Sequence, residues 1–189
     1  MRKMRADARR NYERLLTEAE SAFRTYGTDA SLEDIARRAG VAIGTLYAHF
    51  PTRQALLESL LRERNDVVVA KADELLGELP ADEALAAWAR SVTAHTAAFR
   101  GLATSLMSSF DDESSPLYGA CQAMTAAGER LVAGAREAGA IRPDASASDL
   151  FALIAAAAWV RETVSDEQAE RLLTFMLDGL RRTATSPAW

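Results

Sequence analysis

Cysteine, histidine and long apolar runs are scarce in this sequence of 189 residues. The single cysteine, Cys121, excludes a disulfide within the chain. The two histidines, His49 and His95, lack the spacing of a zinc site, so we expect no metal and no cofactor. The longest apolar run, residues 150–160, is too short to span a membrane, and the Met1 end lacks the apolar segment of a signal peptide. We therefore expect a cytoplasmic protein without membrane contact.

Strand patterns are also lacking. No run of β-branched residues alternates with polar ones, whereas Ala, Leu, Glu and Arg dominate, and this predicts an all-α fold. Apolar spacing together with capping and breaking residues predicts nine helices. Their approximate ranges are 7–26, 31–39, 42–49, 52–77, 82–99, 101–110, 116–137, 146–164 and 166–183.

The charge of the chain is unevenly distributed. The formal net charge is −5, but residues 1–64 carry 12 Lys and Arg against 9 Asp and Glu, whereas residues 65–189 carry 10 against 18. Attraction to phosphates acts locally because salt screens it within about 10 Å. The distribution therefore favours nucleic-acid binding by the N-terminal end alone.

Residues 31–57 have a pattern typical of a helix-turn-helix. Ser31 is a predicted N-cap with Asp34 as its acidic partner. Ala36 supplies the small residue, and Gly40 the tight turn, that two steeply crossing helices need. The predicted inward-facing residues are Ile35, Ala39, Val41, Leu46 and Phe50. The alternative is a helical hairpin with a purely structural role.

This arrangement leaves the outer side of the third helix for DNA. Ile43 and Thr45 can meet base edges in a major groove, and Gly44 permits close approach. Phosphate oxygens suit the remaining polar side chains, which would position the module. The predicted DNA-binding residues are Ser31, Ala42, Ile43, Gly44, Thr45, Tyr47, His49 and Arg53. Alternatively, Ile43 packs inward, and Tyr47 and His49 are ordinary surface residues.

The same segment resembles the recognition segment of the TetR family of bacterial regulators. The matching residues are Gly40-Val41, Gly44-Thr45-Leu46-Tyr47, His49-Phe50, Arg53 and Leu56-Leu57, while Ala42 replaces the usual serine or threonine. The resemblance covers about the first 60 residues. It implies a dimer on palindromic operator DNA, a C-terminal regulatory domain of about six helices, and release of DNA when a small molecule binds. It also makes repression the expected sign of regulation.

The expected domain organisation follows from the motif and the resemblance. Residues 1–53 form the helix-turn-helix domain, residues 54–184 the domain for ligand binding and dimerisation, and residues 185–189 a tail. The fourth helix, about 52–77, links the two domains.

A ligand chamber in such a domain would be lined by aromatic, methionine and a few polar side chains. The candidates are Trp88, His95, Phe99, Met107, Phe110, Tyr118, Gln122 and Trp159, with Thr96 as a further polar group. This composition predicts a small, mostly apolar effector. The alternative is that most of these residues are ordinary core and that His95 is a half-buried helix residue.

The last two helices carry apolar stripes wider than one helical layer can hide. We therefore predict a two-fold, four-helix interface between two copies of the chain. Its predicted residues are Phe151, Ile154, Ala158, Leu173, Met176, Leu177 and Leu180. The alternative is that both stripes pack within one monomer.

Two other classes of function are weighed against a DNA-binding regulator. An enzyme is not expected, because the sequence has no nucleophile paired with a base, no metal spacing and no phosphate-binding glycine loop. A protein that keeps this fold but acts through a protein partner is disfavoured by the basic N-terminal end. Cys121 lies in an apolar helical context and is interpreted as inert core, with oxidant sensing as the alternative.

Overall fold

The computed structural model of the chain describes residues 2–109 and 112–181, with the backbone alone for residues 2–6. Within these ranges the regular structure is helical, apart from one isolated antiparallel bridge between Ile141 and Arg181, which confirms the predicted all-α fold. No helix there is long and apolar enough to cross a membrane. The predicted tail, residues 185–189, lies outside the described residues. The helices are α1 (Arg2–Tyr26), α2 (Leu32–Arg38), α3 (Ile43–His49), α4 (Arg53–Glu78), α5 (Ala81–Thr96), α6 (Leu102–Ser108), α7 (Tyr118–Glu137), α8 (Ala147–Thr163) and α9 (Asp166–Leu180).

Side-chain caps fix the beginnings of several helices. The Ser31 hydroxyl accepts a hydrogen bond from the backbone N–H of Asp34 at 3.1 Å, as predicted for the start of α2. The Asp34 carboxylate accepts a hydrogen bond from Arg37 at 2.8 Å instead of completing a capping box. At the start of α8, Ser146 and Asp149 form a complete capping box. The beginning of α2, where a phosphate contact is predicted, is therefore set by its own sequence.

Helix α5 ends at Thr96, three residues before the predicted end at Phe99. Phe99 is buried, and its ring packs edge to face on Phe23 of α1 with 6.0 Å between the ring centroids. Gly101 follows with φ +85°, a left-handed conformation that terminates the turn and begins α6. Helical spacing could not reveal this break, because Phe99 keeps the apolar period of α5 but belongs to a different core.

The chain forms two compact units, each built from two separate segments. The first unit comprises the chain up to Glu63 together with Ala98–Cys121, and the second comprises Arg64–Ala97 together with the chain from Gln122. Helix α6 and the beginning of α7 therefore belong to the same unit as the helix-turn-helix. This is a division by packing. The predicted functional division into residues 1–53 and 54–184 stays a prediction.

The core of the first unit joins the N-terminal helices to the segment around α6. Its buried residues come from α1 to α4, and the later segment adds Phe99, Leu102 and Leu117. Burying large side chains of this kind contributes about 1.5–3 kcal/mol each, so the later segment stabilises the helix-turn-helix substantially. The buried members include Leu15, Phe23, Ile35, Leu46, Phe50, Leu56, Leu57 and Leu61.

The core of the second unit is built around Trp88 of α5. The indole N–H of Trp88 donates a hydrogen bond to the Val68 carbonyl at 2.9 Å, and its ring packs edge to face on Phe151 of α8. Gly128 of α7 sits against both rings, and a Cβ at this position would lie 2.8 Å from Phe151. The absence of a side chain at Gly128 therefore allows α7 to approach the aromatic pair.

Candidate functional site

The helix-turn-helix has the small core that the sequence predicts. Ile35, Ala39, Leu46 and Phe50 are buried, and Val41 is half-buried. The backbone N–H of Val41 donates to the Ala36 carbonyl at 3.0 Å and closes the turn between α2 and α3. Gly40 in that turn has φ +64°, which favours glycine. The inner side of α3 therefore packs against the core, and its outer side stays exposed.

The outer side of α3 presents mostly exposed residues. Ala42, Gly44 and Tyr47 are exposed, and Thr45 is half-buried. Ile43 is 36% exposed, so it lies on the outer side and does not pack into the core. A Cβ added at Gly44 would meet no atom within 4 Å. These residues form a continuous surface on one helix, and we call it the recognition surface.

His49, at the end of α3, has a structural role as well. It is half-buried, and its ring lies 5.8 Å from the Tyr12 ring and 6.1 Å from the Phe50 ring, measured between centroids. Tyr12 and Phe50 also contact each other, with 5.1 Å between centroids. This aromatic cluster fixes the imidazole beside the recognition surface. His49 is therefore packed against two aromatic rings, and its contact with DNA stays a prediction.

Arg53 is anchored within the first unit. Its Nη1 donates hydrogen bonds to the carbonyl oxygens of Thr28, at 2.6 Å, and Ala30, at 2.5 Å. The guanidinium thereby ties α4 to the loop before α2. This role could not be predicted from the residue type, because an arginine at the start of a helix also suits a phosphate contact.

The loop of residues 27–30, which Arg53 contacts, is also bound to the turn before α6. The backbone N–H of Thr28, a buried residue, donates to the Arg100 carbonyl at 2.8 Å. Gly27 has φ +82°, and a Cβ there would lie 2.7 Å from the same carbonyl oxygen. A Cβ at Gly101 would lie 2.6 Å from Oγ1 of Thr28. Residues 27–30 are therefore clamped between α4 and the turn that precedes α6.

Beside the helix-turn-helix lies a basic cleft that the sequence analysis did not single out. Its volume is about 310 Å³. Arg14 covers the turn between α2 and α3, because a Cβ at Gly40 would lie in contact with its guanidinium. The cluster of arginines between residues 9 and 14 is the sequence signal that could have indicated it. The lining residues are Arg10, Glu13, Arg14, Thr17, Glu18, Arg38 and Ala39.

The predicted pocket residues are divided between the two units and differ in exposure. Phe99, Met107 and Tyr118 belong to the first unit, whereas Trp88, His95, Gln122 and Trp159 belong to the second, and Phe110 lies outside the described residues. Trp88 and Phe99 are core residues, while Gln122 is exposed and Met107 and Trp159 are 64% and 58% exposed. Helical spacing identifies apolar side chains but not the core that each one joins. The assignment of these residues to one ligand chamber therefore stays a prediction.

His95 differs from the other predicted pocket residues. It is only 4% exposed, and neither ring nitrogen has a hydrogen-bond partner among the described residues. Burial, with a smaller contribution from the charge of Arg64, lowers its pKa from 6.5 to about 4. The imidazole is consequently neutral near neutral pH. The expectation of a half-buried residue is wrong, since the side chain is fully enclosed.

Four of the seven predicted dimer residues are buried within the chain. Ile154, Ala158, Leu173 and Leu177 are at most 7% exposed, because α8 packs against both α5 and α9. They have almost no surface left for a second copy, so their assignment to an interface is corrected to the core of the second unit. The other three, Phe151, Met176 and Leu180, are half-buried.

Large apolar side chains nevertheless remain exposed on these two helices. Trp159 of α8 is 58% exposed, Phe175 of α9 is 68% exposed, and Val164 after α8 is 56% exposed. The periodicity of the stripes identified the inner residues of these helices and not the exposed ones, because the inner positions carry the more regular apolar spacing.

Cys121 has the environment of an inert core residue. It is buried in the first unit, and burial raises the pKa of its thiol. A raised pKa disfavours the reactive thiolate. The structure therefore gives no support to oxidant sensing at this position.

Family models match both parts of the chain. A model described as bacterial regulatory proteins of the tetR family matches residues 15–60, which include the helix-turn-helix. A model described as the C-terminal domain of SbtR-like transcriptional regulators matches residues 80–182, more than half of the chain.

Individual relatives agree with these models. A TetR transcriptional regulator from Streptomyces coelicolor is 40% identical over 91% of this chain and 99% of its own, with a TM-score of 0.63. A TetR regulatory protein from Mycobacterium vanbaalenii is 35% identical over 95% of this chain and 99% of its own, with a TM-score of 0.55. An HTH-type transcriptional regulator of Staphylococcus aureus is 34% identical over 80 residues, which are 41% of either chain, so the chain spans less than half of that relative.

Proposed function

The chain belongs to the TetR family of DNA-binding transcriptional regulators, and on this premise we propose that it is a ligand-released repressor. Two copies bind a palindromic operator, and a small, mostly apolar effector releases them. The observation that carries the DNA-binding part is the recognition surface, an exposed face on a helix whose other face is buried. We propose no catalytic activity, and we propose that the protein acts in the cytoplasm.

On the operator, the recognition surface enters the major groove. We assign base contacts to Ala42, Ile43 and Thr45, whose side chains are small or apolar, with Gly44 admitting close approach. Tyr47 and His49 contact phosphates, and the Ser31 end of α2 contacts another phosphate. Because one nitrogen of Arg53 already binds two carbonyls, only its remaining N–H groups are available for a phosphate. Arg14 of the basic cleft adds a positive charge beside the turn between α2 and α3.

The first experiment is selection of bound sequences from a random DNA pool by the purified protein. We expect a palindromic sequence, because two identical recognition surfaces read two half-sites related by a two-fold axis. Affinity for the winning sequence should fall steeply as salt concentration rises, since phosphate contacts release counterions. Titration of the selected duplex at several salt concentrations measures this slope. A pool without enrichment would favour the alternative, an interaction protein that keeps the fold.

We propose that the dimer forms through the outward faces of α8 and α9. Trp159 and Phe175 supply its apolar centre, and the half-buried residues Phe151, Met176 and Leu180 flank it. Contiguous exposed apolar patches, unlike single exposed apolar residues, mark interaction sites, and we propose that these side chains form one such patch. The interface we propose therefore keeps the predicted helices and three of the predicted residues, but it is centred on Trp159 and Phe175.

Replacing Phe175 by aspartate should dissociate the dimer. A charge placed in an apolar interface loses its hydration without gaining a partner, which is costly enough to abolish association at micromolar concentration. Val67→Asp is the matched control, because Val67 is 67% exposed, close to the 68% of Phe175, but lies on α4. Light scattering or analytical ultracentrifugation measures the mass. A Phe175→Asp protein that stays dimeric would place the interface elsewhere.

The loop of residues 27–30 supplies a route by which effector binding could change the position of the DNA-binding helices. Arg100 lies in the turn directly after α5, and its carbonyl holds the N–H of Thr28. The loop of residues 27–30 leads into Ser31 and α2. We propose that an effector bound in the regulatory domain displaces the end of α5 and thereby moves this turn. Such a ligand acts only if it binds the released state more tightly than the DNA-bound state.

A further inference from the structure

His95 is the most unusual polar group of the second unit. A neutral imidazole carries one N–H donor and one nitrogen acceptor, and both are enclosed here without a partner in the described chain. Nearly all buried polar atoms in native proteins have a hydrogen-bond partner from protein, water or ligand. The side chain is therefore complete only when a further molecule supplies the missing partner.

The position of His95 within its unit limits what that molecule can be. Asn65 of α4 and Thr93 and Thr96 of α5 are also more than nine-tenths buried. They and His95 are the buried polar residues that the second unit contributes among the described residues, and all belong to α4 and α5. Arg64, next to Asn65, is near enough for its charge to act on His95. The end of α5 is thus a polar spot beside an otherwise apolar core.

The surrounding core is strongly apolar. Trp88, Ala89 and Val92, one to two turns before His95 on α5, are members of this core. The hydroxyl of Thr93 already donates to the Ala89 carbonyl at 2.8 Å. Its proton is therefore not available to bind a ligand beside His95. A molecule that binds His95 therefore needs a polar group for the imidazole and an apolar body for the surrounding core.

The hydrogen-bonding capacity of the His95 imidazole determines which polar group of a ligand it binds best. A carboxylate only accepts hydrogen bonds, so it can pair with the N–H of a neutral ring but not with its acceptor nitrogen, and burial in an apolar core disfavours its charge. An ammonium group would be repelled by the nearby Arg64. A hydroxyl both donates and accepts, so it satisfies either tautomer of the neutral ring.

We propose that His95 is the polar recognition group of the effector site, and that the effector is a small apolar molecule bearing a neutral hydroxyl group. The inference rests on the proposed function as a ligand-responsive regulator, and it names the chemical class of the ligand. The hydroxyl binds a ring nitrogen of His95, and the apolar body packs against the second-unit core.

The chain has only two histidines, which makes a direct test practical. Protein labelled with ¹⁵N in the histidine rings gives one set of imidazole signals for His95 and one for His49. The probes are linear alcohols from butanol to decanol, with carboxylates and amines of the same lengths. We expect the alcohols to shift the His95 signals at about tenfold lower concentration than the matched charged compounds. The His49 signals, from the first unit, are the internal control.

Each outcome of the titration either supports the proposal or overturns it. A stronger response to carboxylates or to amines would overturn the hydroxyl class. No shift of His95 by any of the compounds would overturn the site itself. Operator binding after selection from random DNA does not depend on His95, so failure of this inference is distinguishable from failure of the proposed function.

A His95→Phe variant separates recognition from a structural role. Replacing an unsatisfied buried polar group by an apolar one of similar shape is nearly neutral or stabilising, so the melting temperature should stay equal or rise. The selected operator should still bind, but the best alcohol should release it at least about tenfold less effectively. Thr93→Val, which removes a hydroxyl already bonded within α5, is the control and should leave release unchanged. A lowered melting temperature with unchanged release would assign His95 to structure alone.

Discussion

Replacing Gly27 by valine is expected to destabilise the first unit by about 3 kcal/mol or more. Gly27 has φ +82°, a conformation that costs a β-branched residue about 1–3 kcal/mol. A Cβ would also lie 2.7 Å from the Arg100 carbonyl oxygen, a backbone atom that cannot rotate away. Relieving the clash breaks the hydrogen bond from Thr28, which contributes about 1 kcal/mol. Total stabilities are typically about 5–15 kcal/mol, so this loss is large.

Hydrogen exchange of α1 to α3 is the appropriate measurement, since Trp88 and Trp159 lie in the second unit and their fluorescence reports on that unit. Gly119→Val is the matched control within the first unit. Gly119 lies in α7, has no positive φ, and a Cβ there meets nothing within 4 Å. The control should keep native protection. Equal protection in both variants would show that the turn before α6 does not clamp the loop of residues 27–30.

The beginning of α2 and the helix-turn-helix could be predicted because their determinants are local. Ser31 caps the helix that follows it. Gly40 adopts a positive φ, which glycine tolerates with little conformational strain because it has no side chain. The residues facing inward in the small core follow from helical spacing over fewer than twenty positions. Each of these signals needs no knowledge of distant parts of the chain.

The remaining features depend on contacts between distant segments. Phe99 continues the apolar period of α5 but is buried with Phe23 in another unit. Leu173 and Leu177 mark an apolar face of α9, yet periodicity alone does not say whether that face meets α8 or a second copy. Arg53 reaches carbonyls more than twenty residues away through a long, flexible side chain. Sequence patterns therefore identified buried faces but not their partners.

The predicted DNA-contact residues differ in how directly a substitution reports on the recognition surface. Gly44 lies on the outer side of α3, as the motif required, and this makes it the sharpest position at which to test the recognition surface. A side chain added there touches nothing in the protein itself. Any change in operator affinity would then come from the DNA side of the interface.

Replacing Gly44 by leucine should lower affinity for the selected operator about a hundredfold or more. The added side chain would occupy the space through which α3 approaches the bases, at a cost of about 1–3 kcal/mol for each half-site, and a dimer bears this cost twice. The fold should be unchanged or slightly more stable, because leucine has the higher helix propensity by up to about 1 kcal/mol.

Gly77→Leu is the matched control, because Gly77 is also a helical glycine, in α4, with nothing within 4 Å of an added Cβ. Fluorescence anisotropy with the labelled operator at one fixed salt concentration compares the two variants with the parent protein. Weaker binding by Gly44→Leu alone, with equal melting temperatures, would assign the effect to the recognition surface. Equal binding by both variants would mean that the N-terminal end of α3 does not face the bases, and it would shift the weight towards a protein partner for this face.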